Sequence, residues 1–321
     1  MNAFQVAVAV MAAIMLFLFA LRGFSRELQV VGGDALKRAV GRLTGNRVGG
    51  FITGALATAL VQSSSAVSAI LVTFVDAGAI GFTESLAVLL GANVGTTSTA
   101  WLVSMKLTGL GPFFIVLGGL VSLVPFRIKV LGQAIFYFGF IFFALDLLNG
   151  ALGPMRDQPL FMEWLARADD LWMALLFGIV FTAVVQSSSV AVGVCILFVQ
   201  QGLLPPASAV AIVVGANIGT TSTALVASLQ LSAGAKATAW ANFLFNLTGV
   251  LLYLPFLHWF ADWLHERTNS PTMTVAWAHL IFNLSVALLF LLLLCRIAPL
   301  LQRWLLNNGN NGALVSSRSR R

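Results

Sequence analysis

A chain of 321 residues with 59% hydrophobic and only 9% charged residues lies far below the roughly 25% charge of soluble domains, which excludes an ordinary soluble enzyme or binding module. Its net charge of +7 concentrates in two short segments, Arg22 to Arg47 and Arg296 to Arg321, that flank apolar stretches; this excludes nucleic acid as a partner and marks cytoplasmic faces of a protein in a lipid bilayer. Cys195 and Cys295 both lie in apolar sequence and are too few for a disulfide framework or a thiolate metal site.

In chain order, Ala3 to Leu21 is apolar with no basic segment before it and reads as a retained first span. Arg22 to Arg47 carries Leu28, Val31, Leu36, Val40 and Leu43 at helical spacing, which predicts a helix lying in the cytoplasmic interface; with the first span it makes a unit 1–48. The next stretch, Gly50 to Val75, holds Gln62-Ser63-Ser64-Ser65 at its middle, with an apolar arm on each side of 12 and 10 residues. Each arm covers about half of a ~30 Å hydrocarbon core, so the stretch is either one broken span or a re-entrant hairpin. Charge favours the hairpin. The chain then crosses outward through Leu86–Met105, inward through Pro112–Phe126 to Arg127 and Lys129, and outward through Val130–Leu148, leaving the acidic loop Asp146 to Asp170 outside.

The second half repeats the plan: a hairpin over Leu171–Gln201, spans Ser208–Leu229 and Ala237–His258, an external loop Asp262 to Thr272, and a last span Met273–Cys295. The units expected are therefore 1–48, a first repeat 49–126, a linking span and loop 127–170, a second repeat 171–258, a loop and last span 259–306, and a disordered cytoplasmic tail 307–321. Three spans separate the hairpins, so these enter from opposite faces. The fold class is all-α: a polytopic membrane protein with inverted-topology repeats, two re-entrant hairpins, about seven full spans and two broken helices, its N-terminus external and its C-terminus cytoplasmic.

The repeat is written in the motifs. Gln62-Ser63-Ser64-Ser65 returns as Gln186-Ser187-Ser188-Ser189, and Gly91-Ala92-Asn93-Val94-Gly95-Thr96-Thr97-Ser98-Thr99-Ala100 returns over 215–224 with one change in ten positions. The offsets 186 − 62 and 215 − 91 are both 124, so no insertion separates the two copies over this stretch. A weaker echo pairs Ala239-Trp240-Ala241-Asn242-Phe243-Leu244-Phe245-Asn246 with Ala276-Trp277-Ala278-His279-Leu280-Ile281-Phe282-Asn283.

A break in a helix inside a bilayer leaves N–H and C=O groups that only ligand, water or ion can satisfy. Serines after the break place donors at a helix N-terminus, which suits an oxyanion such as phosphate; Gln62, Ser63, Ser64, Ser65, Gln186, Ser187, Ser188 and Ser189 are the candidates. Amide carbonyls and hydroxyls suit a hard cation such as Na⁺, for which the candidates are Gln62, Ser64, Asn93, Thr96, Thr97, Gln186, Ser188, Asn217, Thr220 and Thr221. Thr99, Thr223, Asn246 and Asn283 are candidates for lining the site. The hairpins and the two repeated helices contain no charged residue before Asp76 and Lys106, so a buried anion needs co-bound cations. No cofactor is expected beyond the coupling ion.

Two other classes fit part of the pattern. An intramembrane serine hydrolase would use one serine phrase with His279 as base, but a single histidine lies within a span while the serine phrase is duplicated. A passive anion channel would show no uphill transport.

On both Gln-Ser-Ser-Ser phrases, both Gly-Ala-Asn-x-Gly-Thr-Thr phrases and the Phe-Asn pairs 245–246 and 282–283, the chain resembles the type II sodium-dependent phosphate cotransporters, in their bacterial branch, over about residues 1–300. The resemblance implies sodium-driven symport of inorganic phosphate across a bacterial inner membrane by alternating access, with the tips holding phosphate and sodium. Some bacterial relatives are discussed as exporters. A homodimer is carried as an expectation. Many bacterial members carry a C-terminal regulatory domain of the PhoU type; the residues here stop soon after the last span, and that regulation is not carried over.

Overall fold

The computed structural model describes residues 3–43, 46–105, 107, 109–124, 128–153, 163 and 170–318, and the side chains of these except Ala3, 31–43, Leu152 and 306–318. Arg127 and most of the acidic loop thus lie outside the described residues. Every described element is helical, and six helices are long and apolar enough to cross a bilayer. The chain is a multi-pass membrane protein.

Helix α1 (Ala3–Leu43) runs without interruption for 41 residues. The expected boundary at Arg22 is absent, because 22–43 contains no proline to stop the helix and many good helix formers. Its apolar window reaches Val30, and Glu27 within that window is buried. Next come α2 (Arg47–Val61), α3 (Ser64–Asp76), α4 (Phe82–Gly95), α5 (Thr97–Ser104), α6 (Gly111–Ser122) and α7 (Ile128–Leu152). The second half has α8 (Leu171–Val185), α9 (Ser188–Gln200), α10 (Pro206–Ser228), α11 (Ala233–Tyr253), α12 (Leu257–Thr268) and α13 (Pro271–Arg318).

The duplication is visible in the packing. A Cβ on Gly54 would collide with the carbonyl of Val88, and one on Gly178 with that of Ile212; Gly91 and Gly215 abut Phe51 and Leu175, and Gly95 and Gly219 abut Ala55 and Ile179. Every pair differs by 124 in number. Only glycine lets these backbones touch, and the order of the contacts makes α2 parallel to α4 and α8 parallel to α10. The α4–α5 window and the α10 window are each 72% buried, against 28–39% for the other four spans, so the two repeated helices form the centre of the bundle.

Helices α2 and α3, with 15 and 13 residues, are about 22 and 20 Å long and too short to cross a ~30 Å core. Both open at the same end of α4. Gly50 on α2 faces Ala87, and Asp76 at the end of α3 accepts a hydrogen bond from the Ser232 N–H (2.7 Å) just before α11, whose Thr238 hydroxyl meets Ser85 (3.2 Å). Ser85 faces Thr238 and Asn93 faces Asn246, so α4 and α11 run the same way. Helix α13 runs opposite to both, with Trp101 against Trp277, Ser104 at Thr272 and Phe245 against Phe290.

Four expectations change. Helix α6, expected as a full span, has 12 residues, about 18 Å, and packs as the short partner of α7. The expected loop from Asp262 is the end of α12, an amphipathic helix burying Leu257, Phe260, Ala261 and Leu264 at helical spacing. Of the two expected broken helices only the first is interrupted, at Thr96; α10 passes unbroken through the equivalent Thr220. The interruption is slight: Thr99 N–H bonds Thr96 O in a tighter i→i−3 turn. Helix assignment in α13 extends to Arg318, into the segment expected as a disordered tail.

Candidate functional site

Each Gln-Ser-Ser-Ser phrase turns the chain in the same way. Gln62 (φ 55°, ψ 27°) and Gln186 (φ 58°, ψ 29°) adopt the left-handed conformation and close their helices with N–H bonds to Thr58 O and Thr182 O, both 2.7 Å. Among the described residues only one other non-glycine, Asn269, has positive φ. A left-handed non-glycine residue costs on the order of 1–3 kcal/mol, and such outliers gather where function demands them. Ser63 and Ser187 are then extended, and new helices start at Ser64 and Ser188. Ser63 caps its helix, accepting from Ala66 N–H (3.2 Å); Ser187 makes no such bond.

The two tips meet. Ser65 Oγ donates to the backbone carbonyl of Gln186 (3.3 Å). Thr99 Oγ1 donates to Gln62 Oε1 (2.8 Å) and lies 3.1 Å from Ser189 Oγ. Gln62 Nε2 donates to Ser98 Oγ (2.9 Å) and to Ala59 O (2.5 Å), and the Ser98 hydroxyl donates to Gly95 O (2.8 Å). Sequence reading thus finds five residues that two contacts between the tips bring together: Ser65 with Gln186, and Ser189 with Thr99 and through it Gln62. Ser64 and Ser188 are buried at the helix starts. Ser25 of α1 donates to Val61 O, tying the first tip to α1. Beside Gln62 opens a cavity of about 540 Å³ lined by Ser98, Trp101, Leu102, Met105 and Phe138.

The predicted cation ligands stand differently. Thr96, Thr97, Thr220 and Thr221 each donate their hydroxyl proton to a carbonyl of their own helix (2.7–3.1 Å). A hydroxyl whose proton is spent in this way offers only lone pairs outward, which suits a cation rather than an anion. Asn93 Nδ2 reaches Asn246 Oδ1 (3.5 Å), whereas Asn217 and Asn283 donate back to Val213 O and His279 O (2.9 Å each). Asn246, Asn93 and Asn242 make a polar seam between α4 and α11, while Asn217 and Asn283 stay on their own helices.

Two site residues escape the sequence reading. Thr58 and Thr182, one turn before each tip glutamine, are fully buried with hydroxyls that have no partner among the described residues. They differ by 124, so carrying the repeat comparison one turn upstream would have found them. The Thr223 hydroxyl is likewise buried and unpaired. His279, the base required by a hydrolase, is 1% exposed and bonds no serine among the described residues.

Comparison with known proteins places the chain in a family. A family model described as Na+/Pi-cotransporter matches residues 16–150 and 159–258. The chain is 32% identical over 267 residues to "Uncharacterized protein YqeW" of Bacillus subtilis, covering 82% of this chain and 87% of that protein. It is 30% identical over 239 residues to "Putative inorganic phosphate export protein YjbB" of Salmonella typhimurium, covering 74% of this chain but only 44% of that longer protein. Over 138 residues it is 32% identical to human "Sodium-dependent phosphate transport protein 2B", 39% of this chain and 20% of that one. No solved structure matches. The chain belongs to the Na+/Pi-cotransporter family.

Proposed function

We propose that this member of the family carries inorganic phosphate through a site shared by its two hairpin tips, in symport with Na⁺. The observation that supports it is the meeting of the two phrases at two contacts, Ser65 on the Gln186 carbonyl and Ser189 on Thr99, which itself donates to Gln62. Phosphate sits where the N-termini of α3 and α9 converge, held by Ser63–Ser65 and Ser187–Ser189 and by the tip glutamines. Each helix N-terminus supplies about half a positive charge. That does not neutralise a phosphate of charge between −1 and −2, and the tips carry no Lys or Arg. Sodium ions supply the difference. They are held by the outward lone pairs of Thr96, Thr97, Thr220 and Thr221, by the carbonyls of Asn93 and Asn217, and by the orphan hydroxyls of Thr58 and Thr182.

The repeats are read as inverted. Helix α11 runs parallel to α4 and is joined to α10 by residues 229–232, so α10 and α4 run in opposite senses. With the basic tail cytoplasmic, the N-terminus is external and hairpin 1 enters from the inside. Alternating access then exposes one shared site to each face in turn.

Radiolabelled phosphate flux in proteoliposomes tests the reading. An inward Na⁺ gradient should drive uphill accumulation, and equal flux with choline in place of Na⁺ would refute the coupling. The name of the Salmonella relative favours a second reading, export. Vesicles loaded with phosphate and lacking a Na⁺ gradient distinguish it: efflux that needs no external Na⁺ supports export.

A further inference from the structure

The two tips share a backbone but differ in what their glutamines do. Gln62 is buried and makes three side-chain hydrogen bonds, to Thr99, Ser98 and Ala59. Gln186 is exposed, and its side chain has no hydrogen bond among the described residues. Its would-be partners are in place. Ser222 and Thr223 stand 124 after Ser98 and Thr99, Ser222 already donates to Gly219 O (2.8 Å) as Ser98 does to Gly95 O, and the Thr223 hydroxyl is buried and empty-handed. The helices differ in the same sense: the closed repeat is interrupted at Thr96, and the open one runs straight through Thr220.

We propose that Thr99 and Thr223 are positioning residues of two mutually exclusive latches, Ser189–Thr99–Gln62 and Ser65–Thr223–Gln186, and that the first is closed here. Each latch uses a serine of the opposite hairpin. While Ser189 is held at Thr99, the second tip is drawn toward the first repeat and away from its own Thr223. Ser65, the partner Thr223 would need, is meanwhile engaged on the Gln186 backbone carbonyl. Exchange moves Ser65 from that carbonyl to Thr223, lets Gln186 fold onto Thr223 and Ser222, and releases Gln62 toward the adjoining cavity. The unpaired Thr223 hydroxyl is the half of the second latch that waits. This rests on the shared-site reading above and assigns the residues that decide which tip is closed.

Hydrogen–deuterium exchange of the detergent-solubilised full chain without phosphate tests it, read in peptides 58–66 and 182–190. In the wild type the second tip should exchange faster. Thr99→Val, close to isosteric, should raise exchange at 58–66 and lower it at 182–190, each by about 2- to 10-fold, the weight of one net hydrogen bond. Thr99→Ser should restore the wild-type order. Thr223→Val should keep or widen the wild-type difference. A Thr99→Val protein that loosens 58–66 and leaves 182–190 unchanged shows a structural bond only and overturns the latch, as does a Thr223→Val shift in the same direction as Thr99→Val. If Thr99→Val does not fold, Thr223→Val decides alone: a narrowed difference overturns the proposal. The exchange pattern is measured without substrate, so failure of phosphate flux in wild-type vesicles would strike the transport reading and not the latch.

Discussion

The Ser65 hydroxyl donates to the backbone carbonyl of Gln186 across 3.3 Å, linking positions 121 residues apart. Ser65 lies in the first turn of α3, at the electropositive end of that helix. The Gln186 carbonyl belongs to the left-handed cap of α8, at its electronegative end. The contact therefore sets an anion-favouring pole directly beside a cation-favouring one, within a centre that carries no formal charge of its own. Such a pairing of poles is what the proposed symport of phosphate and Na⁺ requires.

The two tip glutamines should separate stability from transport. Gln62→Ala removes three hydrogen bonds from a buried network and leaves Thr99 and Ser98 without their partner, so the thermal unfolding midpoint should fall, with a loss of about 1–3 kcal/mol. Gln186→Ala removes an exposed side chain and should leave the midpoint within about 0.5 kcal/mol of wild type. Both should abolish or severely impair phosphate flux. Wild-type flux from Gln186→Ala would assign the site to the first repeat alone.

Close helix contact makes a second pair of equivalent positions fragile. Gly54→Ala and Gly178→Ala each drive a methyl group into a neighbouring carbonyl that belongs to rigid helix backbone. Each should cost about 1–3 kcal/mol or more, seen in tryptophan-fluorescence melting in detergent. Gly119→Ala meets nothing within 4 Å on the helix α6 and should be neutral or stabilising by up to about 1 kcal/mol.

Much of this was legible in the sequence because the repeat keeps its register. The offset of 124 that joins Gln62 to Gln186 also joins Gly54 to Gly178 and Thr58 to Thr182 in the structure. What sequence could not carry is the difference between identical phrases. Gln62 is folded inward and Gln186 outward, and Thr96 interrupts its helix while Thr220 does not. These are properties of one conformational state, and two copies of one motif are silent about it. The continuity of α1 past Arg22 was missed for another reason: charge marks where a chain meets water, but it does not stop a helix.

Acid should loosen one named joint. Asp76 accepts from the Ser232 N–H at the start of α11, and that bond holds its carboxyl below the ordinary 3.8. A depressed folded value means that the contribution is full above the ordinary value and is lost as pH falls through the folded one, so the window lies below about pH 4. The unfolding midpoint of wild type should drop more steeply over that window than that of Asp76→Asn, which keeps an acceptor oxygen but cannot titrate. Parallel profiles for the two proteins would remove Asp76 from the account.

The orphan hydroxyls of Thr58 and Thr182 give the most direct test of the proposed sodium site. Each is fully buried, packs against a glycine of its repeated helix, Gly95 or Gly219, and has no hydrogen-bond partner among the described residues. Holding a buried hydroxyl unpaired costs about 1–3 kcal/mol, which selection would remove by a change to valine unless the oxygen were used. Each threonine carbonyl closes its left-handed cap, accepting from Gln62 N–H or Gln186 N–H, so both hydroxyls lie one turn from a tip. Thr58→Val and Thr182→Val fill the same volume without the oxygen, so neither should destabilise the fold, and melting should show an equal or higher midpoint. Each should nevertheless raise the Na⁺ concentration for half-maximal phosphate flux, by about 2- to 10-fold for one lost ligand. The two effects should be similar in size because the two positions are built alike. Unchanged Na⁺ dependence in both variants, with the midpoint raised, would show that the hydroxyls are merely unpaired and that sodium binds elsewhere on the repeated helices.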